Sequence, residues 1–222
     1  MGRIVRAEAG WEAAVAWAVR AATRPIPLDE RLLPRNVDGE VFRSRFDRPS
    51  LPAARPAATL IAIYPDATGR LVMPLTIRRD ELRAHAGEVS LPGGAVDAGD
   101  ADVEAAALRE AWEEIGLEPA AVQVVGRLDP VWIPVSNYEL VPVVGTLATR
   151  PSLVPQDSEV AAVVELPLEA LHDDEVLGEE EFSARGITIR TGAYRYGGVR
   201  VWGATAITLG MLAHVLEAKG GG

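Results

Sequence analysis

Residues 105–116 read AAALREAWEEIG, and this segment predicts more about the protein than any other. At about 100° per residue along a helix, three glutamates share one arc of about 100°: Glu110, Glu113 and Glu114. The opposite side is apolar: Leu108, Trp112 and Ile115. The pattern therefore predicts a helix from about Asp102 to Ile115 with one buried apolar face and one crowded anionic face. Ala106 and Ala107 fall on the anionic side, where small side chains would leave room for a ligand to approach.

The anionic face should destabilise this helix. Like charges at i,i+3 and i,i+4 cost about 0.2 to 0.5 kcal/mol per pair. Glu113 and Glu114 also lie in the last turn before Gly116, the predicted C-cap, where the helix dipole disfavours anions. A divalent cation would reverse both penalties, and Mg²⁺ fits best because it binds a few carboxylates together with phosphate oxygens. The alternative is an ordinary solvated glutamate face, but the preceding glycine-rich turn favours a functional site.

The segments around this helix predict an α+β fold. A hairpin is expected from strands at 59–64 and 70–77 joined by a turn at 65–69. Further strands are expected at 122–128, 138–147 and 160–166. A second hairpin over 187–202 turns at Gly197-Gly198, and the chain closes with a helix at 204–218. The acidic run 173–181 is expected to be a solvated loop, and Asp100 is a candidate N-cap for the glutamate-rich helix.

The N-terminal part, residues 1–57, is predicted to lie apart from a main domain of residues 58–222. It opens with an amphipathic helix from Trp11 to Val19 that packs either on its own domain or across a homodimer. An Arg/Pro-rich arm at 24–57 follows, which either lies over the body of the protein or forms a flexible leader.

Composition narrows the classes of function. The 222 residues are 48% hydrophobic and 24% charged, as in globular proteins. The absence of cysteine excludes disulfides, thiolate metal sites and cysteine nucleophiles, and it fits a reducing compartment. A net charge of −10 argues against a nucleic-acid partner. The sequence shows neither a signal-peptide core nor an apolar run of about 18 residues, so we expect a cytoplasmic protein without a membrane partner.

Two motifs resemble those of the Nudix hydrolases. Gly94 followed by REAWEEIGL at 109–117 is similar to the family signature, a glycine, a spaced acid and R-E-x-x-E-E-x-G before an apolar residue. The spaced acid is replaced by Ala101, which has an aspartate on either side. Upstream, residues 75–94, LTIRRDELRAHAGEVSLPGG, resemble a motif of the coenzyme A diphosphatase branch of this family. Arg79 and Leu91 depart from that motif, where a small residue and a phenylalanine are usual.

The resemblance implies a Nudix α/β/α sandwich with a mixed central sheet and a catalytic loop and helix. It also implies an enzyme that uses Mg²⁺ or Mn²⁺ to hydrolyse a diphosphate bond in a small nucleotide. In the coenzyme A branch, the products from coenzyme A or acyl-coenzyme A are 3′,5′-ADP and 4′-phosphopantetheine or its acyl form. Two alternatives stay open: hydrolysis of another nucleoside diphosphate derivative such as ADP-ribose or a dinucleotide, and a non-catalytic domain that senses a nucleotide.

The resemblance also implies roles for individual residues. The implied metal ligands are Glu110, Glu114, Glu113 and, as an additional acid before a strand, Glu159. Glu113 could instead activate the attacking water, and Arg109 would orient the glutamates, which makes these helix residues the catalytic set. The implied substrate-binding residues are Arg78, Arg83, Gly87, Gly93 and Gly94. For Glu159 the competing interpretation is a surface acid.

Overall fold

The computed structural model describes residues 4–36, 38–41, 53–79, 88–184 and 187–217. The helices in these ranges are α1 (Trp11–Ala21), α2 (Val103–Ile115) and α3 (Gly203–Glu217). The first strands are β1 (Arg55–Pro65), β2 (Leu71–Arg78), β3 (Val89–Ser90), β4 (Gly93–Ala95), β5 (Gln123–Arg127) and β6 (Val131–Ile133). The later strands are β7 (Tyr138–Thr146), β8 (Val160–Pro167), β9 (Leu177–Ala184), β10 (Ile187–Tyr196) and β11 (Val199–Val201).

Strand β1 runs through the centre of the protein and is buried on both faces. Its residues Ile61 and Ile63 belong to the core that contains α1 and α3, whereas Leu60 and Ala62 belong to the core beneath α2. Successive side chains of a strand point to opposite faces, so a strand that is apolar throughout needs a helical layer on each side. The predicted α/β/α sandwich with a mixed central sheet is confirmed.

Strands β1 and β2 form the predicted hairpin, but they pair only next to its turn, at Tyr64 with Val72 and Pro65 with Leu71. Away from the turn, β1 pairs antiparallel with β4 and parallel with β7. Strand β2 pairs instead with β3 and β8. The two strands therefore separate beyond the turn, and farther along β1 its neighbour on that side is β4 instead of β2.

The N-terminal helix packs on its own chain. Val15, Ala18 and Val19 of α1 are buried in the core shared with α3, which settles the choice left open by the sequence. Residues 24–36 of the arm lie over the body, since Ile26 is buried and its amide donates to Asp129 Oδ2 at 2.6 Å. Strand β1 begins at Arg55, and the division of the chain at residue 57 stays a prediction.

The acidic run was wrongly predicted to be a loop, because β9 begins within it at Leu177. Strand β10 pairs with β9, and arginines across this small sheet neutralise its acids. Glu180 accepts hydrogen bonds from Arg195 at 2.8 Å and Arg200 at 2.9 Å. The predicted turn at Gly197-Gly198 and the closing helix are confirmed. Within the described ranges, no helix is long and apolar enough to cross a membrane.

Helix α2 has the predicted bounds, and its predicted apolar face is buried in part, since Ile115 is fully buried and Leu108 packs on the core. Its N-cap is Asp102, whose side chain accepts from two backbone N–H groups of the first turn, so the assignment of Asp100 as N-cap was wrong. Gly116 ends the helix in the left-handed region at φ 66°. Trp112 is 55% exposed, whereas three alanines are buried against the sheet: Ala106, Ala107 and Ala111. Small side chains let the helix approach the sheet closely, and this tertiary contact decides which face is buried.

Candidate functional site

The glycines before α2 bring β4 into close contact with β1 and with the glutamate-rich helix. A Cβ atom on Gly94 would lie 2.5 Å from Glu110 Oε1, and one on Gly93 would collide with the carbonyl oxygen of Ala58. Neither glycine has a positive φ. Their role in the structure is close approach, which places backbone amide groups against carboxylates.

Glu114 is the buried member of the acid cluster, with 7% of its surface exposed. The backbone N–H of Gly93 donates to its Oε2 at 3.2 Å. Burial raises the pKa of Glu114 to about 7, and the nearby carboxylates of Glu110 and Glu159 act in the same direction while Arg78 opposes them. A carboxylate with so little solvent and one weak donor is a strong ligand for any cation that reaches it.

Glu110 lies one turn before Glu114 on the same side of α2 and is partly buried. Burial raises its pKa as well, against the opposing effect of its hydrogen bond from Arg109. Two desolvated carboxylates spaced i,i+4 therefore face β4 together.

Arg109 ties the loop before the helix to the glutamates. Its Nε and Nη2 donate to the two carboxylate oxygens of Asp100 at 2.9 and 3.0 Å, and Nη2 also donates to the Ala95 carbonyl at 3.0 Å. Its Nη1 donates to Glu110 at 2.9 Å and to Glu113 at 3.2 Å. Hydrogen bonding to Arg109 lowers the pKa of Asp100. One guanidinium thus fixes three carboxylates and a backbone oxygen, as expected of a group that orients the glutamates.

The donor chemistry of this site fits a hard divalent cation. Glu110 and Glu114 provide carboxylate oxygens from a desolvated position, and such groups gain most from a bound positive charge. Across the part of the chain that the structure describes, no three acidic or histidine side chains converge tightly enough to form a ready-made metal site. Arg109 holds Glu110 and Glu113 in hydrogen bonds, so these side chains would have to turn when a cation binds.

Arg78 and Glu159 lie beside the same cluster, because both influence the ionisation of Glu114. Nε of Arg78 is buried and makes no hydrogen bond within the described residues. Glu159 is exposed in the turn before β8, and its backbone oxygen accepts from the amide of Arg79 at 3.2 Å. Arg83 and Gly87, the two other predicted substrate contacts, lie outside the described residues.

Three further groups complete this site. Asp100, a candidate N-cap in the sequence, is instead the bidentate partner of Arg109, and its position nine residues before that arginine is the one pattern that points to the contact. The Gly93 amide and the Ala95 carbonyl are backbone groups, which leave no residue pattern to find.

The structure thus has an α/β/α sandwich in which a loop and a carboxylate-bearing helix meet at the point where the sheet divides, an arrangement suited to binding a cation and phosphate. Sequence comparison identifies the class, because a model described as the NUDIX domain matches residues 54–186. The chain belongs to the Nudix family.

Relatives in this family cover most of the chain. The Nudix hydrolase NudL of Escherichia coli O139:H28 is 41% identical over 195 residues, which are 83% of this chain and 98% of the relative. NudL of Escherichia coli O1:K1 is 42% identical over 184 residues, covering 81% and 92%. Among solved structures, a Nudix hydrolase of M. smegmatis, RenU, aligns with a TM-score of 0.46 at 23% identity, covering 64% of this chain and 82% of RenU. The family assignment rests on the sequence matches.

Proposed function

We propose that this Nudix protein hydrolyses the diphosphate bond of coenzyme A or acyl-coenzyme A, giving 3′,5′-ADP and 4′-phosphopantetheine or its acyl form. The observation that carries the proposal is the position of Arg78 at the end of β2. Its Nε is buried, has no hydrogen-bond partner among the described residues, and lies within electrostatic range of Glu114. A guanidinium left in this state beside carboxylates is suited to bind an anion that arrives together with cations, as a diphosphate does.

The helix supplies the other half of the chemistry. Glu110 and Glu114 would hold a divalent Mg²⁺ or Mn²⁺, with Glu113 as a further ligand or as the base that takes a proton from water, and Glu159 as an additional acid. The bound metal would neutralise phosphate charge and make a coordinated water more acidic. The side chain of Glu113 is 52% exposed, which gives it access to water, and Arg109 holds it in position at 3.2 Å.

The choice of coenzyme A rests on the motif that surrounds Arg78. Residues 75–94 resemble the motif of the coenzyme A branch, and in the structure they run from β2 to β4, whose ends frame the carboxylates. Coenzyme A differs from plain ADP derivatives by a 3′-phosphate, which calls for a cation beyond those that bind the diphosphate. Arg78 and Arg83 are the proposed cations, while the backbone at Gly87, Gly93 and Gly94 would approach the phosphates.

The proposal includes a cytoplasmic enzyme, because a chain without cysteine fits a reducing compartment. A homodimer, if it forms, would need a surface other than the apolar side of α1, which is buried within the chain.

Product identification tests the proposal. The purified protein is incubated with coenzyme A, 3′-dephospho-coenzyme A, ADP-ribose and a dinucleotide, each with Mg²⁺, Mn²⁺ or EDTA, and the products are separated by chromatography. We expect metal-dependent release of 3′,5′-ADP and a clear preference for coenzyme A. The Glu110→Gln variant should be nearly inactive, which would exclude a contaminating enzyme. Glu118→Gln, a change at an exposed acid beyond the helix, should retain full activity.

Other outcomes would contradict the proposed substrate or the proposed activity. Equal turnover of coenzyme A and its 3′-dephospho form would contradict recognition of the 3′-phosphate, and preference for ADP-ribose or a dinucleotide would favour a different Nudix hydrolase. Absence of hydrolysis with every substrate would favour the nucleotide-sensing alternative.

A further inference from the structure

A cleft of about 480 Å³ opens between the β2–β3 pair and the turn that joins β10 to β11. One wall carries Ile77, Glu88 and Val89, and the other carries Gly198, Val199, Arg200 and Trp202. Ile77, Val89 and Val199 contribute apolar surface, and Glu88 and Arg200 contribute charged groups on opposite walls. The volume is in the range of small-molecule sites.

Trp202 and Arg200 form the most distinctive part of this cleft. The Arg200 guanidinium lies over the Trp202 ring at 6.0 Å from its centroid. Arg200 is held from the other side by Glu180 at 2.9 Å, and Glu180 also binds Arg195 at 2.8 Å. Two guanidinium groups share this one carboxylate, and one of them lies beside the aromatic ring.

The cleft lies next to the strand end that carries the proposed diphosphate site. Ile77, which lines the cleft, precedes Arg78 in β2, and neighbouring residues of a strand point to opposite faces, so the cleft and the Arg78 side chain lie on opposite sides of β2. The backbone N–H of Arg78 donates to the carbonyl oxygen of Glu88 on the cleft wall at 3.0 Å. A ligand whose phosphates contact Arg78 would pass around the end of β2 for its remaining part to enter the cleft.

We propose that this cleft binds the nucleobase half of the substrate, with Trp202 as the ring on which a purine stacks. The inference rests on the proposed function, from which it takes the position of the diphosphate. A flat aromatic face beside a cation fits a nucleobase, which offers a π surface, better than it fits the flexible amide chain of phosphopantetheine. The Arg200 guanidinium at the edge of the ring suits a phosphate on the ribose.

Direct binding separates this inference from the enzymatic activity. Equilibrium binding of 3′,5′-ADP and of 4′-phosphopantetheine is measured by calorimetry in EDTA for wild type, Trp202→Leu, Trp202→Phe and Trp17→Leu. Trp17 is an exposed tryptophan of α1 and serves as the matched control. We expect Trp202→Leu to weaken 3′,5′-ADP binding roughly 5- to 150-fold, the range for loss of one base–aromatic stack, and to leave phosphopantetheine binding unchanged. Trp202→Phe should retain most of the affinity, and Trp17→Leu all of it.

Several results would overturn the inference. Unchanged binding of 3′,5′-ADP by Trp202→Leu would exclude the stack, and equal weakening of both product halves would indicate a general loss of structure. Equal losses in the Phe and Leu variants would likewise show that the ring acts by packing, and thermal melts of each variant would reveal that packing defect. Binding of 3′,5′-ADP that depends on Trp202, found in a protein that does not hydrolyse coenzyme A, would support the cleft and refute the proposed function.

Discussion

Replacing Glu114 by Gln should stabilise the metal-free protein above neutral pH while nearly abolishing hydrolysis. Burial raises the pKa of this carboxyl from 4.5 to about 7. At about 1.4 kcal/mol per pKa unit, this difference corresponds to about 3 kcal/mol between the neutral and the charged folded states. Glutamine is neutral at every pH, and its carbonyl oxygen can still accept the hydrogen bond from Gly93.

The sign of the effect follows from proton linkage. The folded protein binds this proton more tightly than the unfolded chain, so the stability of the wild type falls as pH rises from about 4.5 to about 7 and stays low above that range. Below about pH 4.5 both states are protonated and the penalty vanishes. The Glu114→Gln variant lacks this term, so the stability difference between the two proteins should grow by about 3 kcal/mol across the window.

Thermal melts in EDTA between pH 4 and pH 8 measure this difference. For a chain of this size, 3 kcal/mol corresponds to a Tm difference that widens by about 6 to 12 °C. Glu113→Gln removes the same charge at a side chain that is 52% exposed and serves as the comparison variant for an exposed acid of the same helix. Addition of Mg²⁺ should raise the Tm of the wild type more than that of Glu114→Gln.

Parallel stability curves for wild type and Glu114→Gln across this pH range would refute the reasoning about burial. Full hydrolytic activity of the variant would refute the proposed role of Glu114. The two results are independent, since the first concerns the folded protein without metal and the second concerns turnover.

The contacts of Arg109, Gly94 and Arg78 lead to three further expectations. Arg109→Lys keeps the charge but loses the two-pronged contact to Asp100, so both Tm and kcat should fall, the latter about tenfold or more, in melts and initial-rate assays. Gly94→Ala should lower kcat about 100-fold, because the new Cβ atom would lie 2.5 Å from a carboxylate oxygen of α2, whereas Gly99→Ala meets nothing within 4 Å and should retain wild-type rates. Arg78→Gln should raise KM for coenzyme A about tenfold or more with a smaller change in kcat, and an unchanged KM would count against a phosphate contact.

Local signals in the sequence predicted most elements of the fold. The glutamate-rich helix was located to within one residue because its helical period is clear and Gly116 marks its end, although the predicted N-cap was two residues too early. The first hairpin and the last turn were found through their turn residues, whose chemistry acts over a few positions. Strand β9 was missed because its acids look like a solvated loop until Arg190, Arg195 and Arg200 are placed across from them.

The hydrophobic pattern of α2 predicted its buried side only in part. Ile115 is buried as predicted, but Trp112 is exposed, and the structure also buries Ala107 and Ala111 together with Glu114. Burial on this helix follows from how closely it approaches β1 and β4, which is a tertiary property. The same approach explains why glycine occupies position 94, where any side chain would meet Glu110.

The burial of Glu114 and the glycine at position 94 have one physical origin. Small residues on α2 and glycines on β4 let helix and strand come so close that water is excluded from Glu114, while the strand offers that carboxylate only the Gly93 amide. Without a cation, such a site lowers the stability of the fold, because an ionised carboxylate is held with few donors. Arg109 could neutralise the cluster directly, yet it reaches Glu110 and Glu113 and makes no contact with Glu114. Glu114 thus has the Gly93 amide and the electrostatic influence of Arg78, and we propose that a bound cation completes its environment.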